Sequence, residues 1–314
     1  MLLFFSAALA ASPPGPWDRQ TVSLPGRGDD GAPLTMHYLA AGPPDAPVVV
    51  LLHGFPDFSY GWRGVIPLLS EDYRVLAPDL RGYGETDITE GGYEMDSLIG
   101  DVTAFIDATT DGPVHLIAHD WGALIGWNAV MADPSRYRTW TAVNIPHPQT
   151  LAEYWLVSPE QRQYKKFYRQ VRSPPAPRLL SSLSTDRMAD AFYRAELVND
   201  AVLTDEDAEH YHDLFGQRDR VWAALQYYHH SLSLKNRDLA ALRAAELPVA
   251  VDTLVVWGGQ DHYMMSPMAA LSCGVVTARC ESAVFEDAGH YLHWELPEDM
   301  VTRWRAFVAE DGQR

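Results

Sequence analysis

The chain has 314 residues, 47% of them apolar, enough to bury a large core as one globular unit or as a core carrying an inserted segment. A formal charge of -18 and a pI near 4.9 argue against nucleic acid or an anionic membrane as a partner, because both repel such a surface. No apolar run reaches the roughly 18 residues that a membrane span requires.

Met1 to Ala11 are mostly apolar or small, and Ala8-Leu9-Ala10 has the form of a signal cleavage site. No Lys or Arg precedes this run, and it is short for a secretory signal. Residues 1–20 are therefore read as a tail or weak signal segment, and the location stays open between cytoplasm and export. From there strand and helix signals alternate, the signature of a mostly parallel sheet covered by helices. Thr21–Leu24 and Leu34–Ala41 read as opening strands. Pro47–Leu52, Tyr73–Pro78, Val114–His119 and Thr139–Ile145 are apolar runs of the kind that form strands buried on both faces. Between them Trp62–Ser70, Met95–Thr109 and Trp121–Ala132 read as helices.

Past residue 147 the pattern changes. Residues 148–238 hold no comparable Val/Ile run, are rich in Tyr, Arg, Gln, Glu and Ala, and are interrupted by Ser173-Pro174-Pro175-Ala176-Pro177. This reads as helices and a loop, an inserted cap between two parts of a core, 21–147 and 239–314. Strands return at Val251–Trp257 and Ala283–Glu286, the Ala-rich stretch Asp238–Glu246 leads back to them, and Tyr291–Val308 closes with a helix. Cys273 and Cys280 stand seven positions apart; they suit either a bridge or two small buried hydrophobes, and no zinc-type spacing of Cys and His is present.

The strongest chemical signal is Ala118-His119-Asp120-Trp121-Gly122, directly after a buried strand and before a helix. Small residues flanking a central side chain at a strand-to-helix turn form a nucleophile elbow, where a strained bend lifts that side chain clear of the sheet. The central residue here is Asp, and a carboxylate is a competent nucleophile toward an sp³ carbon bearing a leaving group. The bland alternative is an Asp capping the following helix. Two further pieces weigh against it. His53-Gly54-Phe55-Pro56 follows the third strand, where the backbone N–H of Phe55, together with that of Trp121, can form an oxyanion hole. Gly258-Gly259-Gln260-Asp261 and Asp287-Ala288-Gly289-His290 follow the last two strands, in the chain order nucleophile, acid, His. Asp261 would orient His290, and His290 would activate water. Of the 12 histidines, His115, His119, His229, His230, His262 and His293 are assigned to packing, surface or local hydrogen bonds. Asp57, Asp79 and Asp287 are read as turn carboxylates, with Asp79 pairing Arg81.

These motifs, with Asp79-Leu80-Arg81-Gly82-Tyr83-Gly84, resemble the epoxide hydrolase branch of the α/β-hydrolase superfamily, over about Thr21 to Phe307. The resemblance implies that fold, with an inserted helical cap, and two cap tyrosines that hydrogen-bond the epoxide oxygen. Leu225-Gln226-Tyr227-Tyr228 nominates Tyr228 as one, although the Arg that commonly follows is His229 here. Gln163-Tyr164-Lys165-Lys166-Phe167-Tyr168 nominates Tyr164 as the other, with Tyr168 as its alternate and as a substrate contact beside Phe55 and Trp121. Haloalkane and fluoroacetate dehalogenases share the Asp nucleophile. They fit less well, since Phe55 stands where many haloalkane dehalogenases place Asn and Trp121 stands where fluoroacetate dehalogenases place Arg; Trp155 and Trp222 keep a cap-Trp dehalogenase open. In some relatives the acid follows the sixth strand, but Asn144 occupies that region here, which favours Asp261. The expected reaction opens a small-molecule epoxide to a vicinal diol, with no cofactor and no metal. A haloalkane dehalogenase is the alternative, and a non-catalytic binding protein on the same fold is a third reading. The oligomeric state, monomer or homodimer, is left open.

Overall fold

The structure is a computed structural model that describes residues 15–158, 162–231 and 236–311, with the side chains at 156–157, 162–165, 236–237, 239 and 310–311 outside that description. Eight strands form one sheet: β1 (Asp18–Leu24), β2 (Leu34–Ala41), β3 (Val48–Leu52), β4 (Arg74–Pro78), β5 (Val114–His119), β6 (Tyr137–Val143), β7 (Thr253–Gly258) and β8 (Cys280–Phe285). Their order is β1-β2-β4-β3-β5-β6-β7-β8. β2 runs antiparallel to β1 and β4, and every other pair is parallel.

The pleat explains why the central strands are apolar throughout. Val50 and Leu52 enter one core, with Phe105 and Ile125, while Val49 and Leu51 enter the opposite one, with Trp304 and Phe307. Helices α1 (Ile66–Leu69), α2 (Met95–Thr109) and α3 (Asp120–Ala132) follow β3, β4 and β5. Between β6 and β7 lie the inserted helices α4 (Pro148–Val157), α5 (Arg162–Val171), α6 (Ala176–Leu180), α7 (Thr185–Phe192), α8 (Asp205–Phe215) and α9 (Arg218–His230), and α10 (Asn236–Ala244) leads back to the core. After β7 come α11 (Pro267–Ser272), α12 (Leu292–Glu295) and α13 (Pro297–Asp311). No helix among the described residues is long and apolar enough to cross a membrane.

Several expected elements shift for identifiable reasons. The helix expected over Trp62–Ser70 is a 3₁₀ turn, Ser59–Trp62, followed by the single turn α1. The closing helix is split, because Pro297 disfavours helical geometry at the residue before it and Leu296 sits at φ -134°, ψ 56°. β6 stops at Val143, since Asn144 turns the chain with φ 58°. The proline stretch expected as a loop starts α6 instead, with Pro177 in the first turn, where its missing N–H costs no helical bond. Cys273 and Cys280 form a disulfide, with sulfurs 2.03 Å apart.

Chain direction and strand order place the site. β3 pairs β4 on one side and β5 on the other, so the connections leave toward opposite ends of the sheet and open a crevice beyond the carboxyl ends of β3 and β5. Leu52 lies opposite Ala118, so the loops carrying Phe55 and Asp120 emerge side by side.

Candidate active site

Asp120 stands at the first position of α3 with φ 46°, a left-handed conformation that a non-glycine residue adopts only when its surroundings impose it. Two glycines make the bend possible. A Cβ at Gly122 would come within 2.5 Å of the His53 carbonyl oxygen, and one at Gly54 within 2.3 Å of the Asp120 Cβ. The crossing of β3 and α3 is therefore too close for any side chain at either place.

The bend aims the carboxylate at a donor and a base. The Phe55 N–H donates to Asp120 Oδ1 at 2.7 Å. The Trp121 N–H lies in the first turn of α3, where no helical carbonyl is available to it. On the other side His290 Nε2 is 3.7 Å from Asp120 Oδ2. His290 Nδ1 donates to Asp261 Oδ2 at 2.9 Å, which leaves Nε2 as the nitrogen facing Asp120. Asp261 is itself held: Asn144 Nδ2 donates to its Oδ2 at 2.7 Å, and the Tyr263 and Met264 N–H groups donate to its Oδ1 at 2.8 and 2.9 Å.

Burial opposes charge on both partners, and their mutual attraction overcomes it. Burial would depress His290, but the carboxylates of Asp261 and Asp120 push it up to about 10. Burial would raise Asp120, but His290, His119 and the Phe55 N–H hold it below the usual carboxylate range. The arrangement favours carboxylate on Asp120 and imidazolium on His290.

The cavity in front of Asp120 and His290 is lined by Phe55, Pro56, Phe167, Phe192, Tyr228, Tyr263, Met264 and Tyr291. It is narrow, closed in by these aromatic rings. Tyr228 descends from α9, its ring 5.2 Å from Phe55 and 4.9 Å from Trp121. Its neighbour Tyr227 turns away and donates to the Arg81 carbonyl at 2.9 Å. Trp121 is not among the lining residues and packs behind Tyr228. Tyr168 does not line it; that side chain lies against Arg172, to which it hydrogen-bonds, with its ring 6.4 Å from Tyr228. The side chain of Tyr164 lies outside the described residues. Trp155 and Trp222 are not among the lining residues.

Tyr263, Met264, Phe192 and Tyr291 line the cavity without having been singled out in the sequence. Tyr263 and Met264 carried a usable signal, since they follow Asp261 in a loop that has to face His290. Phe192 carried none, because a cap residue meets the core only through tertiary packing. The expected pair of Asp79 and Arg81 does not form. Arg81 forks onto both oxygens of Asp101 at 2.7 Å, while Asp79 accepts from His37 Nδ1 and the Ser59 N–H at 2.8 Å and the Glu85 N–H at 2.9 Å. The two carboxylates were interchangeable in the sequence; the fold of the loop after β4 separates them.

Behind the site, His119 Nε2 donates to the His290 carbonyl at 2.9 Å, and the side chain lies beside Asp57 and His293. Among the described residues these three form a group that could offer three ligand atoms to a metal, all within 4.8 Å of one another. The Arg63 guanidinium acts on both Asp57 and His293, so a cation there would meet a fixed positive charge.

Similar proteins place this geometry in a family. The sequence profile of the alpha/beta hydrolase fold matches residues 47–297. Human epoxide hydrolase 4 is 31% identical over 287 residues, covering 90% of this chain and 77% of that protein. The AB hydrolase superfamily protein YfhM of Bacillus subtilis is 32% identical over 272 residues, covering 84% and 91%. Among solved structures, a point mutant of an epoxide hydrolase from Bacillus megaterium superposes with a TM-score of 0.83 at 24% identity, covering 92% of this chain and 100% of that one. Epoxide hydrolase VrEH1 from Vigna radiata superposes with a TM-score of 0.76 at 26% identity, covering 94% and 98%. The chain therefore belongs to the α/β-hydrolase fold family, in its epoxide hydrolase branch.

Proposed function

We propose that this chain hydrolyses epoxides to vicinal diols through an ester formed on Asp120. The observation that carries the reading is the strained bend: a carboxylate bonded to the Phe55 N–H, with the Nε2 of His290 3.7 Å from its second oxygen, facing an aromatic cavity that includes the phenol of Tyr228. The relatives named epoxide hydrolases support the same reading. Residues 148–238 act as a cap on a core of 21–147 and 239–314, and the substrate binds between them.

The epoxide oxygen faces Tyr228 and a second cap phenol, Tyr164. Asp120 Oδ2 attacks the less hindered ring carbon, the carbon–oxygen bond breaks, and a phenol supplies the proton that the strongly basic alkoxide requires. Esterification removes the charge of Asp120. The pKa of His290 then falls, because one of the two carboxylates holding it up is gone. The imidazolium proton passes to the phenolate left by ring opening, and a neutral imidazole oriented by Asp261 is then the base when water must be activated. Water gives a proton to His290 and attacks the ester carbonyl carbon, and the Phe55 and Trp121 N–H groups hold the oxyanion, a contribution of about 100-fold or more per donor. The oxyanion collapses, the bond from that carbon to the substrate oxygen breaks, and the leaving diol oxygen takes the proton from His290. No organic cofactor or metal enters these steps.

The test weighs the intact protein after incubating His290→Gln with styrene oxide and, separately, with 1-bromobutane. The reading predicts an adduct equal to the mass of the epoxide, absent when Asp120→Ala is added. An alkyl adduct with bromide release, and none from the epoxide, would assign a dehalogenase instead. No adduct from either, in a folded protein, would leave a binding protein on this fold.

A further inference from the structure

A second cavity shares two walls with the first. It is a groove of about 330 Å³ between α5, α6 and α7, and Phe167 and Phe192 line both spaces. Beyond these two rings its lining is apolar, with Val171, Leu180 and the exposed Leu179 among the residues, and its polar members, Gln170 and Ser173, carry no charge. A surface free of charge is notable on a chain with a formal charge of -18. The reacting end, by contrast, has almost no spare room: Phe55 packs against Phe167 at 6.1 Å and Phe192 at 5.8 Å, and Phe167 against Tyr228 at 6.0 Å. Anything larger than a small epoxide must send the remainder of its structure elsewhere. Only the two phenylalanine side chains are common to both, so they form the partition between the groove and the site.

We propose that this groove holds the apolar arm of the substrate, with Phe167 and Phe192 as the threshold between arm and epoxide, so that the chain selects epoxides bearing a long unbranched hydrocarbon arm. This rests on the epoxide hydrolase reading and names its substrate class. Hydrocarbon in a neutral apolar groove gains by leaving water and meets no charged group that must be desolvated. A charged or strongly polar arm would find no partner there.

The test measures kcat/KM for terminal epoxides from 1,2-epoxybutane to 1,2-epoxydodecane. The wild type is expected to gain about fourfold per added methylene over the first several carbons. Ala191→Trp fills the groove from an exposed position on α7, and Leu179→Lys places a charge at its mouth. Each is expected to lower the ratio of the twelve-carbon to the four-carbon value at least tenfold. A ratio unchanged in both variants overturns the proposal. Binding of 1,2-dodecanediol, followed by calorimetry, separates the groove from the chemistry. If no epoxide is opened, the reaction reading fails, whereas binding of the diol weakened tenfold by Ala191→Trp still supports the groove, and equal binding overturns it.

Discussion

Asp120 and His290 each favour the charged form of the other, with Asp261 acting on His290 as well. Replacing Asp120 by Asn keeps an acceptor for the Phe55 N–H and removes one of the two carboxylates that hold His290 up to about 10. Nitrogen NMR of the imidazole should therefore show His290 titrating lower in Asp120→Asn than in the wild type. With Asp120 held below the usual carboxylate range, the alkylation step should stay flat from neutral pH down to about 5 and fail only in stronger acid. A single-turnover pH profile checks this, and a loss near neutrality would remove Asp120 from the role. Asn144 acts one step further out, through Asp261. Asn144→Ala should lower kcat roughly ten- to a hundredfold with little change in KM, because a loosened Asp261 lets the imidazole drift from its line of approach.

At the scale of elements, the site exists because β3 and α3 touch almost backbone to backbone. Gly122→Ala places a methyl group against the carbonyls of Leu52 and His53, which cannot retreat without breaking the β3 ladder. Its expected cost is roughly 1–3 kcal/mol or more, read as a fall in thermal midpoint or loss of soluble protein. Helix α9 separates two neighbouring tyrosines by its turn of about 100° per residue. Tyr228 faces the cavity and Tyr227 the core, so Tyr228→Phe should slow epoxide opening about 100-fold. Tyr227→Phe should leave the rate nearly intact and cost about 1 kcal/mol of stability through the bond lost to the Arg81 carbonyl.

For the whole molecule, the cluster behind the site carries a cost. Burial pushes Asp57 up to about 6, against the partial relief of His53, the Phe58 N–H, Tyr211 and Arg63. A carboxyl raised in the folded state contributes stability below its unfolded value, and that contribution is lost as pH rises through 6. At neutral pH the folded protein therefore bears the charge at a cost. In Asp57→Asn the amide oxygen can keep the bonds from Phe58 and Tyr211, while the amide nitrogen faces His119 and His293. This variant should be more stable than the wild type at pH 8, by on the order of 1–3 kcal/mol, with the difference shrinking as pH falls through about 6. Thermal melts at the two pH values check the sign. A variant less stable at pH 8 would mean that the charge is needed in the folded state.

The amino-acid sequence alone determined the sheet-and-helix order, the inserted helical block, and the residues Asp120, Asp261 and His290 as candidates. These are properties of local pattern: apolar runs make buried strands, and small residues around a bend leave one polar side chain no place to hide. The partner of Arg81, the inward turn of Tyr228 rather than Tyr227, the support of Asp261 by Asn144, and the meeting of Phe192 with Phe55 were decided only in three dimensions. Each depends on contacts between segments far apart in the chain, and spacing along a sequence carries no measure of distances across a core.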